Sequence, residues 1–307
     1  MRATMRSYEA PADFLRVRDF LQTAFYAFGR PVNWGIERWN WGRYHPSMWK
    51  GDREANRRHF EDSVRIWEDG EGRILAVLNT ERPKPNGEAW IQRLPEADPL
   101  LDGILAEAER SLADPADGIL RVEAYDHDET LCGALRARGY SRPAESGRFS
   151  EIAIEGAEPP ALESGFRIRS MAEPGSSLDL RREALGRGFN HADPAEWSTP
   201  EEYRLTQAAP DYLPELDLFV EAPDGSYASS CIVWHDARNH FGVFEPVCTV
   251  PGHRRKGLGR AVIREGLNRL FALGARRAYV GSGQDFYAAI GFDRRHVSRQ
   301  WTMATRA

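Results

Sequence analysis

The sequence is poor in cysteine and contains no long apolar run. Its 307 residues include 3 cysteines, Cys132, Cys231 and Cys248, which are too few and too scattered for a disulfide framework or a zinc cluster. Such sparse use of cysteine indicates a reducing compartment. The first residues lack the apolar stretch of a secretory signal, and no segment is long enough for a membrane span. We therefore expect a soluble, cytoplasmic protein without a membrane partner.

The sequence also lacks a strong excess of either charge. Its formal net charge is −5, with 41% hydrophobic and 28% charged residues, a composition typical of globular proteins. This balance gives no general attraction to nucleic acid. The 8 histidines show no zinc-ligand spacing. We expect no metal and no nucleic-acid partner, while the composition leaves the oligomeric state open.

A basic, glycine-rich corner stands out against this background. It follows a β-like run that ends at Pro251-Gly252 and precedes a predicted helix over 261–273. It matches neither the Walker A pattern nor the Gly-x-Gly-x-x-Gly fingerprint of dinucleotide sites. Because the first amides of a helix lack intrahelical partners and attract anions, the corner predicts a diphosphate site. Its residues are Arg254, Arg255, Lys256, Gly257, Leu258, Gly259 and Arg260.

A second motif, Tyr287-x-x-x-Gly291-Phe292, follows about 30 residues after the corner. The pattern Arg254-x-x-Gly257-x-Gly259 resembles the pyrophosphate loop of the GNAT superfamily of acetyl-CoA-dependent N-acyltransferases. The Tyr-x-x-x-Gly-Phe pattern is similar to the late helix of the same superfamily. The resemblance implies acetyl-CoA as cosubstrate and Tyr287 as the proton donor to the departing thiolate.

The resemblance also assigns roles around these motifs. It implies a splayed strand section whose backbone faces the pantetheine arm, formed here by Val247, Cys248, Thr249 and Val250. Ser282 and Gln284, in a shortened connection, are expected to contact the cofactor. The first candidate for a general base is Glu245, although many family members place this glutamate two residues earlier, at Val243. Acceptor recognition is expected from Asn190, His191, Trp197 and Trp234.

The chain reads as a divergent tandem repeat. Asp-Gly pairs flanked by β-rich runs predict hairpins at Gly70 and Gly225, and strand–helix–strand units follow each of them. In layout the chain is similar to tandem GNAT proteins such as the mycothiol synthase group. We predict an α/β fold with domains 1–155 and 166–307, joined by a linker over 156–165. Each domain would be a mostly antiparallel mixed sheet flanked by helices.

The first half lacks the chemical residues of the second. At the position of the basic corner it reads Leu94-Pro95-Glu96-Ala97-Asp98-Pro99-Leu100-Leu101-Asp102-Gly103, and the counterpart of Tyr287 is Leu135. The acids are expected to satisfy the helix start themselves and to repel a diphosphate. We therefore predict a non-catalytic first domain and a catalytic second one. The enzyme would transfer acetyl groups to a primary amine of a small molecule; the alternative is a CoA-binding pseudoenzyme or sensor.

Overall fold

The computed structural model describes residues 3–45, 52–81, 87–141 and 145–305, and the chain divides into two compact units. Of the described residues, the first unit holds 3–42, those within 52–149, and 294–305. The second unit holds 43–45 and 150–293. The compact units are thus not contiguous in sequence, unlike the predicted domains 1–155 and 166–307.

The first unit is built on a mostly antiparallel sheet. Its strands are β1 (Thr4–Ser7), β2 (Arg65–Glu68), β3 (Ile74–Asn79), β4 (Glu88–Arg93), β5 (Ile119–Tyr125) and β12 (Asp293–Ala304). They lie in the order β1-β2-β3-β4-β5-β12, with parallel pairing between β4 and β5. The Asp69 carboxylate accepts hydrogen bonds from the amides of Glu71 and Arg73 and closes the β2–β3 turn. This confirms the predicted hairpin at Gly70.

The helices of the first unit follow the amphipathic pattern of the sequence. Apolar residues such as Val17, Leu21 and Ile104 are almost fully buried and remove apolar surface from water. Strand β6 (Glu145–Ala153) crosses from the first unit to the second at Ser150. The helices are α1 (Ala12–Phe28), α2 (Ile36–Tyr44), α3 (Arg53–Ser63), α4 (Leu101–Ser111) and α5 (Glu129–Ala137).

The second unit repeats the sheet plan. Its strands are β7 (Arg167–Ser170), β8 (Asp217–Glu221), β9 (Tyr227–Asp236), β10 (Phe241–Thr249) and β11 (Arg277–Val280), with residues 150–153 of β6 beside β11. The order is β6-β11-β10-β9-β8-β7, and β10 and β11 run parallel. The helices are α6 (Leu178–Gly188), α7 (Pro200–Gln207), α8 (Leu258–Ala272) and α9 (Asp285–Ala288).

Helices cover both faces of this second sheet, as the sequence predicts. Leu218 and Val220 of β8 face α8, where Val262 and Leu267 complete a large apolar core. Phe219, between them in β8, faces the other way and packs with Ala184 of α6. The alternation follows from the two-residue period of a strand, and it places α6 and α8 on opposite sides of β10.

Candidate active site

The basic corner ends in a helix start that has no protein cap. After a short 3-10 turn, Pro251–His253, the chain reaches Gly257, the N-cap of α8, at φ +76°. Glycine adopts this left-handed conformation without steric cost. No side chain caps α8, and its first turn contains no acid. Within the described chain, no acceptor outside the helix bonds the amides of 258–260, so they are available to an anion.

The two sequence motifs meet at one cavity of about 530 Å³ in the second unit. Several residues that the sequence did not single out complete its lining: Gly188, His253, Phe286, Ala289 and Ile290. The predicted residues that line it are Val247, Cys248, Thr249, Arg254, Arg255, Gly257, Leu258, Gly259, Arg260, Gln284 and Tyr287. The fold therefore brings most of the predicted cofactor residues together with the predicted proton donor.

Strand β10 is splayed where it borders the cavity. Its parallel pairing with β11 ends at Val243, and its pairing with β9 shifts between Phe244 and Val247. Residues 247–249 continue the ladder with β9 alone, so their other edge carries no ladder to β11. The resemblance implies a splayed section at 247–250; the structure leaves one edge of 247–249 open, and a ligand can bond to such an edge.

Three of the predicted cofactor residues do not line the cavity. Val250 is buried and packs against Ala184 of α6. Lys256 is exposed, with its Nζ 5.7 Å from the centre of the Phe166 ring. The Ser282 hydroxyl accepts the Gln284 amide at 3.3 Å. Val250, Lys256 and Ser282 are thus absent from the lining of the cavity.

The Tyr287 phenol lies in a largely apolar setting. Its side chain is 8% exposed, and the Phe286 and Phe292 rings contact it edge-on at 5.0 and 5.9 Å. Burial raises the pKa of Tyr287 to about 12, and the neighbouring Cys231, Cys248 and Glu245 add to the shift. Burial favours the neutral form of a phenol, so Tyr287 keeps its proton at neutral pH.

Glu245 lies at the bulge of β10 and is half-buried. Its backbone carbonyl accepts a hydrogen bond of 2.8 Å from the Trp234 indole. Glu245 does not line the cavity, yet it is near enough for its charge to contribute to the raised pKa of Tyr287. Trp234 is 1% exposed and packs with Ile232 and Ala209. Trp234, expected to recognise the acceptor, is instead a core residue that holds the bulge.

The Arg254 guanidinium is engaged by the protein itself. Its Nε donates to the carbonyl of Thr249 at 3.0 Å. Its Nη2 donates to the Gly188 carbonyl at 3.0 Å and to Asn190 Oδ1 at 2.7 Å. These bonds join the end of β10 to the end of α6, where a cation also interacts favourably with the helix dipole.

Asn190, His191 and Trp197 line a second cavity, of about 410 Å³. The Trp197 indole donates to the His191 carbonyl at 3.0 Å, and His191 Nδ1 lies 3.1 Å from a Glu196 carboxylate oxygen. A side chain at Gly186 would collide with the Trp197 ring, so this glycine permits the ring to pack on α6. The remaining lining residues are Glu183, Arg187, Ala192, Pro194 and Pro251.

Sequence reasoning missed a buried ion pair beside these cavities. Arg181 of α6 and Asp217 of β8 are each 0% exposed and bond at 2.7 Å. The hydroxyls of Tyr203 and Tyr212 both donate to Asp217 at 2.8 Å. The network ties α6 and α7 to the sheet. Nothing in the helical pattern marks Arg181, because an arginine on a helix is usually solvent-exposed.

The corresponding loop of the first unit is closed by its own side chains. Arg93, at the end of β4, is 1% exposed and bonds Asp128 through both Nη atoms at 2.6 and 2.7 Å and Asp98 at 2.7 Å. No side chain caps α4, and Asp102 pairs with Arg138. The acids lie in the first turns, as the sequence places them, and Asp98 and Asp102 also pair with arginines. Leu135 is fully buried in the core.

Residues 182–296 match the model of the acetyltransferase (GNAT) family. This segment is a GNAT domain. It contains most of α6, the splayed β10, the uncapped start of α8 and Tyr287. The match indicates an acyltransferase that takes its acyl group from an acyl-CoA. A search of curated proteins gave no significant match.

Solved structures show the same fold over the whole chain. A GCN5-related N-acetyltransferase from Sphaerobacter thermophilus is 16% identical with a TM-score of 0.60, and the match covers 99% of this chain and 96% of that one. A tandem GNAT protein from the clavulanic acid biosynthesis pathway is 13% identical with a TM-score of 0.64, covering 100% and 99%. Saccharomyces cerevisiae N-myristoyltransferase is 14% identical with a TM-score of 0.55, covering 100% and 80%. These likenesses show that the chain shares its fold with GNAT proteins, one of them a tandem GNAT protein.

The described residues provide neither a membrane-spanning helix nor a metal cluster. None of the described helices is both long and apolar enough to cross a bilayer. In the described ranges, no group of three or more His, Cys, Asp or Glu side chains is placed to hold a metal ion.

Proposed function

We propose that the second unit transfers an acetyl group from acetyl-CoA to a primary amine by direct attack in a ternary complex. The observation that carries this proposal is a single cavity that joins three elements. These are the uncapped start of α8, the open edge of β10 at 247–249, and Tyr287. They correspond to a diphosphate anchor, a binding edge for the thioester arm, and a proton donor.

The diphosphate would bind the amides at the start of α8, with Arg255 and Arg260 supplying positive charge from the cavity wall. This anchor holds the reacting carbon in register with the open edge of β10. An amide of 247–249 would stabilise the negative charge that develops on the thioester oxygen.

The amine nitrogen attacks the thioester carbon, a C–N bond forms, and the C–S bond breaks. Tyr287 gives its proton to the departing thiolate, and the surplus proton of the amine passes to Glu245 directly or through water. The burial that raises the pKa of Tyr287 also raises the pKa of a thiol in the same cavity, because both anions lose solvation.

We propose that the second cavity belongs to the acceptor site. Its lining includes the Trp197 ring and the Glu183 carboxylate, which suit a cationic amine. The acceptor would thus be a small amine whose positive charge is lost before attack. We further propose a cytoplasmic location, because the cysteines are free and buried.

The first unit is proposed to be non-catalytic. Its loop at 94–100 places Asp98 on Arg93, and a buried leucine stands where the second unit has Tyr287. The unit keeps the scaffold and lacks both the anion site and the proton donor.

A CoA-binding pseudoenzyme or sensor is the second candidate. It is favoured by the position of Glu245, which does not line the donor cavity. Without a base, the site would hold CoA and leave the amine protonated. The two candidates differ only in turnover, so one pair of measurements separates them.

Isothermal titration with CoA tests the donor site, and a panel of primary amines with acetyl-CoA tests transfer through release of free thiol. We expect one CoA per chain and thiol release above background with at least one amine. Absence of CoA binding would exclude both candidate functions. Binding without release across the panel would leave the pseudoenzyme.

A further inference from the structure

Arg254 both bonds to the protein and lines the donor cavity. Its Nε and Nη2 donate to Thr249, Gly188 and Asn190, whereas the side chain as a whole lines the donor cavity. A guanidinium carries donors on more than one edge in a fixed plane. Fixing Nε and Nη2 therefore fixes the direction of Nη1, for which the described part of the chain provides no acceptor.

Asn190 is built to hold that plane. It has φ +65°, a left-handed conformation that asparagine tolerates better than most residues. The backbone N–H of Asn190 donates to the Arg187 carbonyl at 3.0 Å, which fixes the backbone just beyond α6. Its Oδ1 then accepts from Arg254 at 2.7 Å, the shortest of the three Arg254 bonds.

Asn190 lines the second cavity and Arg254 lines the donor cavity. Their hydrogen bond is thus part of the wall between the two. The hydrogen bond links the position of Arg254 on the donor side to a residue that lines the other cavity.

We propose that Asn190 is a positioning residue for the donor site: it orients Arg254 so that Nη1 meets the diphosphate of CoA. This inference rests on the proposed function. Asn190, expected from the sequence to touch the acceptor, would then act on donor affinity through Arg254. The chemical class recognised at Nη1 is a diphosphate ester, since a planar cation with paired N–H groups suits phosphate oxygens.

A double-mutant cycle on CoA affinity tests this role. Asn190→Gly removes the side chain and keeps the left-handed backbone that glycine accepts freely. Arg254→Met removes the guanidinium. His240→Gly is the matched control, because His240 is exposed, belongs to the second unit and has φ +55°.

We expect calorimetry to show CoA binding weakened about fivefold in Asn190→Gly, the size of one hydrogen bond. Binding should weaken about 30-fold in Arg254→Met, which loses an ionic contact with phosphate, and by the same factor in the double variant. His240→Gly should bind like the wild type. Pantetheine, which lacks the diphosphate, should bind Asn190→Gly and wild type equally in ligand-observed NMR.

Several results would overturn the proposal while leaving the proposed function intact. One is an additive loss in the double variant, which would show that Asn190 acts independently of Arg254. Another is an equal loss of pantetheine binding, or a fall in the melting temperature of the ligand-free Asn190→Gly protein that accounts for the loss of affinity. A wild type that binds no CoA would instead remove the proposed function, and this inference with it.

Discussion

The two units share a strand-to-helix corner but differ in the side chains that lie at it. In the second unit the start of α8 has no cap and no acid, and it opens on a cavity. In the first unit the corresponding corner holds Asp98, which bonds to the buried Arg93. A scaffold of one topology thus carries either an uncapped helix start or a closed ion pair, according to which charges lie at the corner.

The difference is one of solvation as much as of charge. Arg93 and Asp128 are both almost fully buried. Each charge is therefore stabilised by the other and not by solvent. Arg255 and Arg260 are exposed on the cavity wall, so they can exchange water for a ligand at little cost. The first corner therefore contributes to folding, and the second is available for binding.

The largest expected effect is on the stability of the first unit. Arg93→Met leaves the buried Asp128 without its partner, and we expect a loss of about 3–5 kcal/mol in the free energy of unfolding. Urea denaturation measures this loss. Arg73→Met, which breaks an exposed pair with Asp69, should cost far less, because solvent screens exposed charges. Equal losses in the two variants would contradict a stabilising role of the buried Arg93–Asp128 pair.

Next in size is the loss of the proton donor in the second unit. Tyr287→Phe should lower kcat by about 100-fold, because a positioned general acid contributes that much or more. CoA affinity, measured by calorimetry, should stay within about twofold, since the phenol acts on the thiolate formed during reaction.

Tyr140→Phe is the matched change in the first unit, where the Tyr140 hydroxyl donates to Glu109. It should leave kcat unchanged and lower stability by about 1 kcal/mol. Comparable turnover in Tyr287→Phe and wild type would remove the donor role.

A carboxylate introduced at the second corner should imitate the first. Gly257→Asp places a negative charge beside the diphosphate site and a side chain at φ +76°, so CoA affinity should fall about 30-fold. Gly103→Asp makes the same change in α4, where an added Cβ meets no atom within 4 Å. Titration should show wild-type affinity in that control, and a weakened Gly103→Asp would point to CoA binding in the first unit.

The smallest expected effect is that of pH on turnover. With a pKa of about 12, Tyr287 is protonated throughout pH 7–10, and its donor form is lost only as pH approaches 12. The kcat of the wild type should therefore show no fall that depends on Tyr287 below pH 10. An alkaline limb near pH 9 that disappears in Tyr287→Phe would show a much lower pKa.

Local patterns predicted much of the fold. The hairpin at Gly70 and the helix after the basic corner both rest on residues close together in sequence. Helix α8 begins earlier than expected, at Leu258, because an N-terminal turn needs no apolar periodicity. The position of β12 in the first unit was not predicted, since strand pairing over such a distance leaves no local signal.

The sequence by itself determined where an anion could bind, because a glycine at a helix start and a cluster of arginines act through their own backbone and charge. Only the tertiary structure decided which side chains reach the cavity. It placed Trp234 in the core, left Lys256 out of the cavity lining, and bonded Arg254 to Asn190 and Gly188. The physical reason is that distant segments of the chain bury a side chain and supply its hydrogen-bond partners. The chemistry of the side chain depends on its burial and on those partners.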